Sequence, residues 1–131
     1  MEDSRAFAAT DFDGDGNLDL FLKNRLGPQV RALRNEWGIG RHALVIRLRG
    51  TRSNRDAIGA SVLVEHAGDR SHQTLQAGSG YLSQHTKQLH FGLGDSRSAS
   101  LVRIQWPSGL VQEFHNLARS EERRVGKECR L

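Results

Sequence analysis

Apolar positions along the chain fall mainly in short alternating runs, and none keeps a convincing helical period. From His42 to Arg49, the residues His42, Leu44, Ile46 and Leu48 share one face while Val45, Arg47 and Arg49 share the other, which is the pattern of a half-buried strand. A polar stretch follows from Gly50 to Ile58. Val62 and Val64 then mark a second strand, Ala67-Gly68-Asp69 a turn, and Ser71 to Ala77 a weaker third strand. Lys87 to Leu93 aligns Leu89, Phe91 and Leu93, and Leu101 to Trp106 aligns Val102, Ile104 and Trp106. Pro107-Ser108-Gly109 makes a tight turn, with proline favoured at its second position and glycine at its fourth, and Leu110 to His115 returns. Short strands separated by turns about every ten residues predict an all-β domain, either a β-sandwich or an open barrel.

Two more strands precede this block. Ala6 to Thr10 is a short apolar run, and Leu18 to Leu22 places Leu18, Leu20 and Leu22 on one face. Between them lies D-F-D-G-D-G-N-L-D, residues 11–19. Its aspartates, Asp11, Asp13, Asp15 and Asp19, would repel one another without a cation, and calcium takes six to eight hard oxygens of this kind. Gly14 and Gly16 let the backbone curl so that the carboxylates converge, and the Asn17 carbonyl offers a further oxygen. An EF-hand is excluded, because its bidentate glutamate would fall on Leu22 and because no helix follows. A solvated acidic turn is the plainer reading of the D-G pairs.

Composition changes this picture little. The 131 residues suffice for one core and a partial neighbour, and 14 glycines beside 2 prolines fit many turns. No apolar run approaches the roughly 18 residues of a membrane span, and Met1 to Arg5 shows no apolar core of a signal peptide. The formal charge of +4 raises the question of nucleic acid. Part of that charge sits in residues 119–130, R-S-E-E-R-R-V-G-K-E-C-R, which match codon for codon the translation of a common short-read sequencing adapter. Set aside as a processing scar, this segment takes the only cysteine, Cys129, with it and leaves a net charge of about +2. On that reading, genuine sequence ends near Leu117 or Ala118.

The strand–acidic loop–strand segment resembles an FG-GAP repeat (integrin-α-like, VCBS), in which such a loop joins two strands of a β-propeller blade. The resemblance implies calcium held by side-chain oxygens of Asp11, Asp13, Asp15 and Asp19 and by the main-chain oxygen of Asn17. Further on, G-T-R-S-N-R-D-A-I-G-A (50–60), A-G-S-G-Y-L-S-Q (77–84), L-H-F-G-L-G (89–94) and I-Q-W-P-S-G (104–109) resemble the ASPIC/UnbV domain. With L-R-N at 33–35, the joint resemblance covers about residues 6–117. It implies a partial repeat at 1–35, a linker at 36–41, a β domain at 42–117 and an artefactual tail at 118–131. It further implies an extracellular or cell-surface parent in which preceding propeller repeats lead into this C-terminal domain. Such a half-blade cannot bury both its faces, so residues 1–40 are expected to be poorly anchored and calcium affinity weak, roughly 10⁻⁴–10⁻³ M.

Catalytic readings find little support. His66, His72, His85, His90 and His115 are scattered without H-E-x-x-H spacing and read as isolated surface histidines. Neither Ser79 nor Ser108 sits in G-x-S-x-G. Gly38 to Ala43 fits G-x-G-x-x-A, but no helix follows it. The long polar loops are the better candidates for binding. Arg52, Asn54, Arg55 and Asp56, with Tyr81 and Gln84, form a possible partner-binding edge; in the plainer reading Asp56 merely pairs with Arg52 or Arg55 while Gly59, Gly78 and Gly80 hold positive φ angles. Arg47, Arg49, Arg52 and Arg55 would serve an RNA binder, but Phe91 and Trp106 fall on core faces and leave few stacking platforms. The expectation is a non-catalytic, calcium-binding interaction module with a protein or glycan partner, and nucleic acid is the alternative.

Overall fold

A computed structural model describes residues 3–37, 40–79 and 81–118. The G-x-G-x-x-A match at 38–43 and the adapter-like segment 119–130 lie wholly or partly outside the described residues, as does Gly80. Nine strands and no helix occur among the described residues. They are β1 (Ser4–Thr10), β2 (Asp19–Asn24), β3 (Val30–Leu33), β4 (His42–Ile46), β5 (Ser61–His66), β6 (Asp69–Thr74), β7 (Leu89–Gly94), β8 (Ser98–Gln105) and β9 (Val111–Ala118). Among these residues all pairings are antiparallel, in sheets ordered β1-β2-β3, β4-β7 and β6-β5-β8-β9, and no barrel closes.

The second and third sheets form a sandwich, and the alternation read from the sequence explains why. Leu44 and Ile46 of β4 and Leu89, Phe91 and Leu93 of β7 meet Val62 and Val64 of β5 and Val102 and Ile104 of β8 in one buried cluster, closed at one end by Trp106. Fully burying each such side chain contributes about 1.5–3 kcal/mol, so this cluster dominates the stability of the domain. The Trp106 indole N–H keeps a partner despite burial, donating to Gln112 Oε1 at 2.9 Å. At one margin the Gln73 amide of β6 donates to the His90 carbonyl of β7 at 2.6 Å, tying the two layers together.

Turns obey local chemistry. Ala67 and Gly68 both have positive φ and connect the His66–Asp69 pair, a two-residue hairpin of the primed type. At the β8–β9 turn the Gly109 amide donates to the Trp106 carbonyl at 2.9 Å, so Pro107 and Gly109 hold the second and fourth positions.

The first sheet departs from expectation in two ways. V-R-A-L at 30–33 adds an unforeseen third strand, paired with β2 from Leu20–Leu33 to Lys23–Val30. Asn24 secures the turn before it: the side chain accepts from Ser4 Oγ at 2.7 Å and donates to the Pro28 carbonyl at 3.0 Å. Residues 3–37 contribute nothing to the buried apolar core, and Phe7, Leu20 and Leu33 remain partly exposed on one face. The sheet is nonetheless attached. Thr86 N donates to the Ala9 carbonyl at 3.1 Å, Ala9 N donates to His85 Nδ1 at 3.1 Å, and the His85 ring lies 4.9 Å from that of Phe7. The anchor is a polar rung rather than a shared core, which is why apolar patterning did not reveal it.

Candidate metal centre

The acidic loop joins β1 to β2, and its own backbone arranges its carboxylates. Asp11 accepts from Gly14 N at 2.8 Å through Oδ1 and from Gly16 N at 2.9 Å through Oδ2. Asp13 accepts from Asp15 N at 3.3 Å, and Asp15 from Asn17 N at 2.8 Å. Gly14 and Gly16 take φ of 77° and 89°, which side chains larger than hydrogen adopt only at a cost. The result is convergence: Asp11, Asp13 and Asp15 each offer an oxygen within 4.8 Å of the others. Oxygens bound at about 2.4 Å to one calcium ion lie at most about 4.8 Å apart, so the trio fits that ion in size and in donor hardness.

Asp19 stands apart from the trio. It is fully buried, and its two oxygens accept from Phe12 N at 3.2 Å and Asn35 N at 2.7 Å. It therefore clasps the end of the loop to the segment beyond β3. Asn17 sits at the turn into Leu18, its amide engaged by Asp15. Arg34 was not singled out from the sequence. Its Nε lies 2.8 Å from Asp13 Oδ2 and one terminal nitrogen 3.9 Å from Asp15 Oδ2, so a guanidinium already meets part of the acidic charge. Its membership of L-R-N at 33–35 was the available signal.

The loop also rests against the sandwich. A β-carbon on Gly16 would lie 3.6 Å from that of Ala43, and a cavity of ≈ 340 Å³ between the two is lined by Asp15, Asn17, Trp37, His42 and His90 among others. Both ring nitrogens of His90 are buried and lack a hydrogen-bond partner among the described residues. Burial lowers its pKa below the ordinary 6.5, and the negative charge of Asp11 opposes that shift. His85 and His90, expected as isolated surface histidines, thus both lie at the junction of the two sheets.

The second candidate region is largely self-satisfied at its base. The Asn54 amide bonds the Ile58 backbone twice, accepting from its N–H at 2.7 Å and donating to its carbonyl at 2.8 Å. Asp56 does not take an arginine as its main partner. Lys87 donates to it, and that hydrogen bond and the Lys87 charge hold its pKa below the usual carboxylate value, with smaller contributions from Arg55 and Arg47. Arg52 and Arg55 are exposed. Arg49 and Arg55 line a shallow depression with Gly50, Thr51 and Ser53, whereas Tyr81 and Gln84 are exposed and do not line it. As the plainer reading expected, Gly59 and Gly78 have positive φ.

Comparison with known proteins meets these features from the other side. Cartilage acidic protein 1 of Xenopus tropicalis is 34% identical over 107 residues, which cover 79% of this chain and 16% of that protein. The Homo sapiens protein of the same name is 35% identical over 105 residues and the Mus musculus one 36% over 105, each covering 78% of this chain and 16% of the relative. The chain thus spans about one sixth of the length of these relatives. Residues 50–128 match the family model described as ASPIC and UnbV, a match that starts at the arginine loop, includes β5 to β9, and runs into the adapter-like segment. With more than half its length matched, the chain belongs to the ASPIC and UnbV family.

Proposed function

We propose that the chain is the C-terminal portion of an extracellular protein of the FG-GAP type, in which a calcium-stiffened half-blade leads into an ASPIC/UnbV domain that binds a partner and performs no catalysis. The observation that carries the metal reading is the convergence of Asp11, Asp13 and Asp15 within 4.8 Å on a loop between two paired strands. In this reading the three carboxylates supply side-chain oxygens, and Asp19 and the Asn17 carbonyl complete the set as the FG-GAP resemblance implies. Arg34 would give way to the ion, exchanging its contact with Asp13 for solvent. The relatives are named for cartilage, a tissue made mostly of extracellular matrix, which supports the extracellular setting.

Calcium supplies charge neutralisation and rigidity here. Because β1 is tied to His85 and Thr86, stiffening the loop also steadies the half-blade against the sandwich. The test is calorimetric titration of calcium into the chain, beside the quadruple Asp11, Asp13, Asp15, Asp19→Asn variant. Heat of binding in the parent and none in the variant is the expected result. Silence in both, with the parent folded, would remove calcium from the proposal.

A further inference from the structure

The strongest unassigned feature is basic. We infer that the loop from Gly50 to Ile58 displays an anion-binding surface that takes a sulfated polysaccharide, a reading that specifies the partner of the interaction domain proposed above. Arg49 and Arg55 border the same shallow depression of ≈ 440 Å³. Arg47, Arg55 and Lys87 all lie close enough to Asp56 to lower its pKa, which brings three cations around a single carboxylate. Arg52 belongs to the same loop, and all four arginines are exposed.

The frame that carries these charges is fixed. Gly50 N donates to the Arg55 carbonyl at 3.1 Å and Ala57 N to the Asn54 carbonyl at 2.9 Å, drawing the loop into a tight ring. The doubly bonded Asn54 amide closes it onto Ile58, and Ser108 N reaches Ser53 Oγ at 3.2 Å from the neighbouring hairpin. Ala57 accepts a φ of 56°, a conformation a non-glycine residue holds only when its surroundings impose it. A charged surface on so constrained a loop meets an anion with little backbone ordering left to do.

The character of the depression selects the partner class. Guanidinium forks match sulfate and carboxylate oxygens in pairs. Among the described residues no aromatic side chain lines the depression, so single-stranded RNA finds no stacking platform there, and a folded protein finds no aromatic or apolar anchor site. An extended, flexible polyanion needs neither.

The experiment is heparin binding by the full chain, measured against salt for the parent, for the Arg49, Arg52, Arg55→Gln triple variant and for Asp56→Asn. Each exposed arginine facing an anionic surface is worth about fivefold, so the triple variant should lose roughly a hundredfold, while Asp56→Asn should bind tighter than the parent. Thermal melts of both variants establish that they fold. Unchanged heparin affinity in the folded triple variant would place binding elsewhere, as on the basic residues of 119–130, and overturn the inference. Equal or tighter binding of poly(U) or polyglutamate, lost in the same variant, would overturn the choice of a polysaccharide. Calcium titration of the triple variant keeps the two readings separate, since it should match the parent whichever way heparin falls.

Discussion

Gly50 begins the arginine loop and is buried, with its amide bonded to the Arg55 carbonyl at 3.1 Å. A β-carbon added there would stand 2.1 Å from the Asn54 carbonyl oxygen and 3.0 Å from its carbon. Ordinary carbon–oxygen contacts begin above about 3.3 Å, so Gly50→Ala must push two backbone segments apart by about 1 Å. Overpacking of that kind costs about 1–3 kcal/mol, and losing the Gly50–Arg55 hydrogen bond costs about 1 kcal/mol more. For a domain of this size, each kcal/mol lowers Tm by about 4–8 °C, which gives a fall of roughly 8–32 °C. Circular dichroism melts of Gly50→Ala and of Gly92→Ala make the comparison. Gly92 has open space around it and no positive φ, so its alanine variant should melt within a few degrees of the parent. Equal melting of the two variants would refute the argument that the ring of residues 50–58 is sterically closed.

Other predictions follow from the junction and the acidic loop. Asp13→Ala with Asp15→Ala should abolish calcium binding and leave the melting of the sandwich unchanged, because neither residue touches its core; a large drop in Tm in calcium-free buffer would contradict that separation. His85→Ala removes the acceptor for Ala9 N and the ring beside Phe7, together about 1–2 kcal/mol of attachment. Hydrogen exchange should quicken at Ala9 while the β5 and β8 amides stay protected, and unchanged exchange at Ala9 would refute the anchor. Burial depresses the pKa of His90 in the fold, so the unfolded chain binds its proton more readily. Its contribution to stability is whole above 6.5 and is lost as pH falls from 6.5 through the folded value. Melts across roughly pH 5 to 8 should show this slope, and His90→Gln should flatten it.

What the sequence disclosed and what it hid divide along one physical line. Faces with period two were legible: Val62 and Val64, Leu89, Phe91 and Leu93, and Val102, Ile104 and Trp106 all point into the core as read. Strand ends drifted where small or polar residues took over. β8 begins at Ser98 rather than Leu101, since Ala99 is buried without looking apolar enough to count, and β6 ends at Thr74. β3 escaped notice because its four residues are mostly exposed and follow a turn, so pairing with β2 rather than burial defines it. The carboxylate trio was legible because its spacing is local. Arg34, His85 and His90 were not, because the first two gain their meaning from a partner that folding supplies, across 76 residues in the case of Ala9 and His85, and His90 from its burial.

The rung at Ala9 also has a bearing on solubility. A sheet with a bare margin can template the addition of foreign strands. In the β1-β2-β3 sheet the outer main-chain groups of Ala9 are taken by His85 and Thr86, so recruitment along β1 is obstructed near its C-terminal end. The margin along β3 has no described strand beside it and carries exposed Val30 and Leu33. Of the two margins, the one along β3 is therefore the less protected. The β3 side is the more open route to self-association, and a lysine or proline placed there is the change that would best keep the chain dispersed at high concentration.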